Sequence, residues 1–457
     1  MKNGIIIIIF LMSFALLNSV VFAQKRLTLD DAIRIALDNN PSIKINQSQI
    51  KEAEAKKVQA YSGFLPQAEI LSKYFYTNNT SALFPLEGSS VPVMNNGIPT
   101  GEDILMHAKA PFPILDRDVL TMDMNVIYAL YAGGKRKNAL ESTIALKEVY
   151  QKDLLETEGN LSLNVKTTFY NVLFIEELLK LYEKTLNQIQ EHLSLAEKSY
   201  QEGVRSEFDV LMFKTKKKDF DSQIIELKSK KEIGLYALKA LLNFSDADTI
   251  TCIGSISNTI NFSRLSSEQL SDSLDIGNNK IQSLKAMKNV LSYKEKVDKA
   301  ENLPTIFAFG NYHMYHGLDT PPFDLAWRQG YAIGIGLKIN LFDGNLTKGK
   351  VQETRAGIEK IAGYEESFKL QFKNKYLTAV QHIHSLEAQH ESVLNNIEVA
   401  NRAYEIARVG YNNSVITTIE LNDAQLNITK VNIQSLSIEK DILLEQANLQ
   451  YLLGVIY

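Results

Sequence analysis

A single cysteine, Cys252, stands in 457 residues, so no intramolecular disulfide can brace the fold. There is no surplus of positive charge either. Lys and Arg number 49 against 53 Asp and Glu, a formal net charge of −4, which argues against a nucleic-acid partner. Beyond the N-terminus no segment reaches the 18 or more apolar residues that a membrane-crossing helix requires. HExxH, GxSxG and CxxC are absent, and the glycines of 133-GGK-135 lack the spacing of a phosphate-binding loop. Neither enzyme activity, a cofactor nor a metal site is therefore expected. Stability must come from packing and assembly.

What the N-terminus does have is a secretory pattern. Lys2 precedes an apolar run from Ile5 to Val21, and the small-residue end at Val21-Phe22-Ala23 marks residues 1–23 as a cleaved signal peptide, with the mature chain starting at Gln24. Because residue 24 is not cysteine, no lipid attachment is expected there.

The mature sequence repeats itself. Tyr200 pairs with Tyr411, Val204 with Val415, Asp209 with Glu420, and Leu238, Leu241 and Leu242 with Leu449, Leu452 and Leu453, always at an offset of 211. Leu130, Tyr131 and Gly133 match Leu341, Phe342 and Gly344 at the same offset. Nearer the N-terminus Ile43, Leu65-Pro66 and Tyr74 match Ile281, Leu303-Pro304 and Tyr312 at 238, so the first copy carries 27 extra residues between Tyr76 and Arg117. This organisation assigns residues 24–244 to a first repeat, 245–265 to an inter-repeat segment placed as an equatorial belt, and 266–457 to a second repeat.

Each copy runs through the same patterns. Helix formers fill 40–63 and 279–302 and stop at Pro66 and Pro304. Two strand-like segments follow in each: 67–76 with 119–131, and 305–315 with 330–342. In the second of each pair the alternation is clean. Leu120, Met122, Met124, Val126, Tyr128 and Leu130 form one face, matching Tyr331, Ile333, Ile335, Leu337, Ile339 and Leu341, while the opposite face is polar or glycine. One face suits lipid and the other water, with tyrosines clustered at the strand ends. Phe307 and Phe309 break the pattern by falling on the polar face.

After Gly133-Gly134 and Gly344, which fit a sharp turn from strand to helix, a heptad pattern runs from about Lys137 to Tyr200 and recurs more weakly in the second copy. About 60 residues of helix make a rod of roughly 90 Å. The rods end at 198-KSYQEGVRSEFDVLMFK-214 and 409-VGYNNSVITTIELNDAQ-425, read as the tips of antiparallel helical hairpins with Gly203 and Asn412-Asn413 in the turns and Ser206 and Thr417 as N-caps. The run 214-KTKKKD-219 reads as a solvated face, and neither His313 with His316 nor His382 with His384 is spaced for metal binding.

Four strands cannot close a barrel, and open sheet edges are not tolerated in lipid, so several chains must pool their strands. The order of 27-LTLDDAIRIALDNNP-41, Leu65-Pro66 and Leu303-Pro304, 130-LYAGGK-135 and 341-LFDG-344, and the two tip motifs resembles the TolC-type family of outer-membrane efflux proteins. The resemblance implies a mixed fold: a transmembrane β-barrel completed by a homotrimer with four strands per chain, continuous with a long periplasmic α-helical barrel of coiled-coil hairpins. It implies the outer membrane of a Gram-negative bacterium, contact with outer-membrane lipid, a periplasmic adaptor (membrane fusion) protein and an inner-membrane pump, and the role of exit duct in tripartite efflux or type I secretion. An exported coiled-coil scaffold without transport activity is the alternative reading.

The resemblance also assigns candidate residues. Gly203, Val204, Arg205 and Ser206 in the first tip, and Ser414, Val415, Ile416 and Thr417 in the second, match adaptor-contacting turns. Glu420 and Asp423 stand where family members carry constriction-lining acids, spaced i, i+3 on one helix face, and Asp209 is the first-copy partner of Glu420, expected to serve tip packing or a hydrogen bond. One departure concerns the latch: the basic residue that helps tie the second tip in some members is Ile416 here, while Arg205 holds the equivalent place in the first tip.

Overall fold

The structure is a computed structural model that describes residues 25–76, 87–95, 98–107, 118–256, 275–317 and 327–454. The signal segment, 1–23, and the second part of the expected belt, 257–265, lie outside the described residues.

Seven helices and eight strands are present among the described residues. In chain order they are β1 (Lys25–Leu27), α1 (Leu29–Asn39), α2 (Pro41–Ser62), β2 (Gln67–Tyr76), β3 (Glu87–Asn95), β4 (Ile98–His107), β5 (Asp118–Ala132), α3 (Lys135–Gln201), α4 (Glu207–Leu242), β6 (Ile250–Cys252), α5 (Asn279–Ala300), β7 (Thr305–Gly317), β8 (Arg328–Lys338), α6 (Leu346–Asn412) and α7 (Thr418–Leu452). The two long helices, α3 and α6, each have 67 residues and start 211 positions apart, a contour of about 100 Å apiece. Left-handed residues open both: Gly133-Gly134 ahead of α3 and Gly344-Asn345 ahead of α6. Gly133 has a second constraint, because a Cβ there would lie 2.6 Å from Leu303 Cβ.

The chain forms two compact units that cut across the repeats, each taking part of both copies: residues up to Ala53 with 146–288 and from 360 onward, and 54–145 with 289–359. Both α3 and α6 contribute to each, which is why a repeat in sequence is not a unit in space.

The first unit is helical. One core gathers Ala32, Ile33 and Ala36 of α1 with Val165, Phe169 and Val172 of α3 and Leu235, Leu238 and Leu242 of α4. Nearer the hairpin tips a second core joins all four long helices through Leu193, Phe213, Tyr404 and Leu421. The strands β1 and β6 pair in parallel beside the first core.

The second unit holds the four-stranded sheet, ordered β2-β5-β7-β8, with every neighbour antiparallel. On β8 the alternation is strict: Tyr331, Ile333, Ile335 and Leu337 project from one face, with Ile333 83% exposed, and Ala332, Gly334, Gly336 and Lys338 lie on the other. Ile70, Tyr74 and Tyr76 of β2 and Met122, Met124 and Tyr128 of β5 continue the exposed apolar face.

Three expectations change. β8 ends at Lys338 and not at 342, because Lys338 pairs with Thr305, the first residue of β7, and Pro304 has no N–H to carry the ladder further. Leu130 leaves the alternation of β5, since the register shifts between Ala129 and Tyr131 and makes Leu130 a bulge residue. Phe307 and Phe309 sit on the polar face for a structural reason: they lie over the glycines of β8, where a Cβ on Gly336 would come within 2.3 Å of the Phe307 ring and one on Gly334 within 2.8 Å of Phe309. The extra segment of the first copy contains its own antiparallel pair, β3 with β4.

Candidate functional site at the hairpin tips

The two tips are built alike. In the first, the amides of Val204 and Arg205 donate to the Ser199 carbonyl at 2.8 and 3.2 Å; in the second, those of Val415 and Ile416 donate to the Gly410 carbonyl at the same two distances. The left-handed residue is Gly203 (φ +74°) in one and Ser414 (φ +60°) in the other, positions equivalent at the repeat offset. Of Asn412 and Asn413, which the sequence suggests for the reversal, only Asn413 lies in the turn. Asn412 is still helical, and Asn413 donates its side-chain amide to the Val409 carbonyl at 2.9 Å.

Each ascending helix starts with a capping box. Ser206 Oγ accepts from Asp209 N at 3.3 Å while Asp209 Oδ2 accepts from Ser206 N and Oγ at 3.1 and 2.8 Å. Thr417 Oγ1 accepts from Glu420 N at 3.3 Å while Glu420 Oε2 accepts from Thr417 N and Oγ1, both at 2.8 Å. The Glu420 carboxyl is held below its ordinary value by the Thr417 amide first and then the Thr417 hydroxyl. For Asp209, partial burial pushes upward, but hydrogen bonds from Thr418 and Ser206 outweigh it and the net shift is downward.

Two links tie one tip to the other. Arg205 Nη2 donates to the carbonyls of Tyr411 (3.0 Å) and Ile416 (3.3 Å), and its guanidinium lies 4.2 Å from the Tyr411 ring centroid. The Thr418 hydroxyl donates to Asp209 Oδ1. Ile416 itself is half-buried and folds back on Gly410, where a Cβ would come within 2.7 Å of it. The second tip therefore uses position 416 for packing and takes its cation from Arg205.

Comparison with known proteins fits this architecture. Residues 32–243 match the model of the outer membrane efflux protein family, which is nearly the whole first repeat. Among the described residues the second repeat carries counterparts of α2, β2, β5, α3 and α4, namely α5, β7, β8, α6 and α7, at the offsets above. Over 32–243 the chain is similar to the outer membrane efflux protein family. By sequence, no curated protein matches it. By fold, it is similar to the channel protein CusC (TM-score 0.77, 15% identity, 93% of this chain and 92% of that one). VceC of Vibrio cholerae aligns with TM-score 0.72 and 14% identity over 93% and 96%, and the open-state channel MtrE of Neisseria gonorrhoeae with 0.74 and 13% over 93% and 89%.

Within this efflux-protein fold the candidate residues separate by what they touch. Arg205, Ser206, Ile416 and Thr417 are occupied inside the tips by the contacts above. Val204 and Val415 project outward, Val415 being 80% exposed, beside the turn residues Gly203 and Ser414. Asp423 is exposed one turn along α7 from Glu420, whose carboxylate is engaged at the helix start. Three exposed apolar residues were not singled out from sequence: Phe208 and Leu211 continue the line of Val204, and Ile419 lies four residues on from Val415. Their spacing of three or four residues is the signal, masked by the buried Val210 and Phe213 that alternate with them. Of the lysine run, Lys214 pairs with Glu197 at 3.1 Å across the hairpin. No group of three or more His, Cys, Asp or Glu converges among the described residues, and no helix there is long and apolar enough to cross a membrane.

Proposed function

We infer that three copies of this chain close one twelve-stranded barrel and form the passive exit duct of a tripartite export system, fed by an inner-membrane pump through a periplasmic adaptor. The observation that carries the reading is the sheet. Four antiparallel strands present an apolar face and end in unpaired edges at β2 and β8, and lipid accepts strands only when every edge is paired. A soluble coiled-coil scaffold would leave that face and those edges without purpose. Residues 24–244 and 266–457 then act as two similar staves around an equatorial segment, 245–265.

The tips close the duct in this reading. Arg205 and the Asp209–Thr418 bond hold the two hairpins of a chain together, and Asp423, repeated by symmetry, lines the narrowed entrance as a carboxylate ring that favours cations. Val204 and Val415, with Gly203 and Ser414, offer the adaptor its contact. Planar-bilayer recording of detergent-purified protein tests the whole: a trimer that inserts and passes a small, cation-selective current is expected. Folded protein that is released with the periplasm without detergent and yields no current removes the duct reading and restores the scaffold.

A further inference from the structure

Two turns before Ser199, the two hairpins meet on a buried histidine. His192 of α3 is 5% exposed. Its Nε2 lies 3.1 Å from Tyr404 Oη of α6, and its ring centroid stands 5.8 Å from Phe213 of α4, 6.2 Å from Tyr404 and 6.5 Å from Tyr411. No carboxylate is hydrogen-bonded to it. The charged groups that act on the ring are Glu191, its neighbour on α3, and Arg408 on α6, which is itself bonded to Glu405 at 2.6 Å. From α7 the same core receives Leu421 and Ile428, both apolar, while Glu420 is held at Thr417. Phe213 also meets Tyr411 edge-on at 5.9 Å. Tyr411 is thus a shared member: one side of it packs in the histidine layer, and its carbonyl and ring hold Arg205.

We propose that His192 is a proton-responsive wedge: a proton on its imidazole puts a positive charge with no hydrogen-bonded carboxylate into the aromatic layer, loosens α6 from α3 and α4, and releases Tyr411's hold on Arg205. The proposal deepens the reading of the tips as the duct's closure and rests on it for its function. Either tautomer gives the same result. A Tyr404 hydroxyl that donates to neutral Nε2 loses that bond when Nε2 is protonated, and one that accepts from Nε2–H keeps the bond but faces a buried charge. His192 meets Tyr404 and Tyr411 at 64° and 67°, and the Tyr411 ring already carries the Arg205 guanidinium. Burial holds the imidazole below its ordinary value, with Glu191 opposing and Arg408 reinforcing. A depressed histidine withholds no stability above its unfolded value near 6.5; the loss begins as pH falls through that value and grows toward the folded one.

The test uses hydrogen exchange and bilayer conductance on the full-length trimer at about pH 7.5 and about pH 5, the interval in which a histidine changes charge. After correction for intrinsic exchange chemistry, amides of 195–206 and 404–418 in the unaltered protein should exchange several-fold faster in acid, with conductance rising alongside. His192→Phe, which keeps an aromatic ring without a titrating group, should abolish both changes; His192→Gln, which keeps a partner for Tyr404, should do the same if the phenylalanine variant does not assemble. An acid response that survives in these variants, or none in the unaltered protein, overturns the proposal. Exchange that responds through His192 in a protein that passes no current keeps the wedge and discards the duct; current with unresponsive exchange does the reverse.

Discussion

Arg205 donates to the carbonyl of Ile416 at 3.3 Å, and the two residues are 211 positions apart, so donor and acceptor are the same place in the two copies of the repeat. The internal symmetry is broken at the point where the copies touch. One copy carries the cation there, and the other carries an aliphatic side chain and lends its backbone.

Removing that cation should open the entrance. Arg205→Ala loses two charge-assisted hydrogen bonds and a cation–π contact, for which about 1–3 kcal/mol is a fair range after allowing for solvent at a half-buried site. Bilayer conductance should rise and close less often, and the melting temperature of the helical unit should fall modestly, since the second core loses a contact at Tyr411 while the first is untouched. Unchanged conductance in Arg205→Ala would assign Arg205 to folding alone.

Glu420 and Asp423 should separate in experiment although they share a helix face. Glu420 is engaged with Thr417, so replacing it perturbs the start of α7; the same fault is reached from the other side by Thr417→Ala, worth about 1 kcal/mol of helix stability. Asp423→Ala leaves the cap intact and should reduce cation selectivity, read as a shift of reversal potential across a salt gradient, without lowering the melting temperature. A selectivity change confined to Thr417→Ala would place the ion-sensing group at the cap instead.

Much of this arrangement was legible in the sequence, and what was missed has identifiable causes. The repeat exposed the strands, the long helices and the tips because heptad and period-two patterns depend on local spacing. The bulge at Leu130 and the end of β8 at Lys338 were hidden because each depends on the partner strand, and Phe307 and Phe309 looked misplaced until Gly336 and Gly334 appeared beneath them. At the tips the resemblance offered Glu420 as a pore acid; its Oε2 caps the start of α7 while the residue stays exposed. His192 gave no signal, since nothing in its neighbours on α3 announces that Tyr404 and Tyr411 arrive from more than two hundred residues away.

Acid should find Asp209 later than an ordinary carboxylate. Its folded value is depressed by Thr418 and Ser206 against the effect of burial, so it contributes stability above the unfolded value of 3.8, lost only as pH falls through the lower folded one. Thr418→Val removes a donor and should move the loss to higher pH. The melting-temperature gap between the two proteins should be full above about pH 5 and close as pH falls toward about pH 3, and a gap that does not change with pH would show that the Thr418 bond does not carry the shift.

The barrel wall permits a test by collision and rescue. A methyl group on Gly336 would meet the Phe307 ring at 2.3 Å, whereas one on Gly330 or Gly310 meets nothing within 4 Å. Overpacking of this kind costs about 1–3 kcal/mol per site. Three chains share one barrel in the proposed assembly, so the penalty of Gly336→Ala is paid three times over in the trimer, and assembled protein recovered from the outer membrane should fall sharply. Gly330→Ala should assemble normally. Pairing Gly336→Ala with Phe307→Leu removes the ring that collides and should restore assembly, because the flexible aliphatic side chain can move off the new methyl while still covering the strand. Failure of the double variant, with Gly330→Ala unaffected, would mean that Gly336 is required for the strand's own backbone course and not as the floor beneath Phe307.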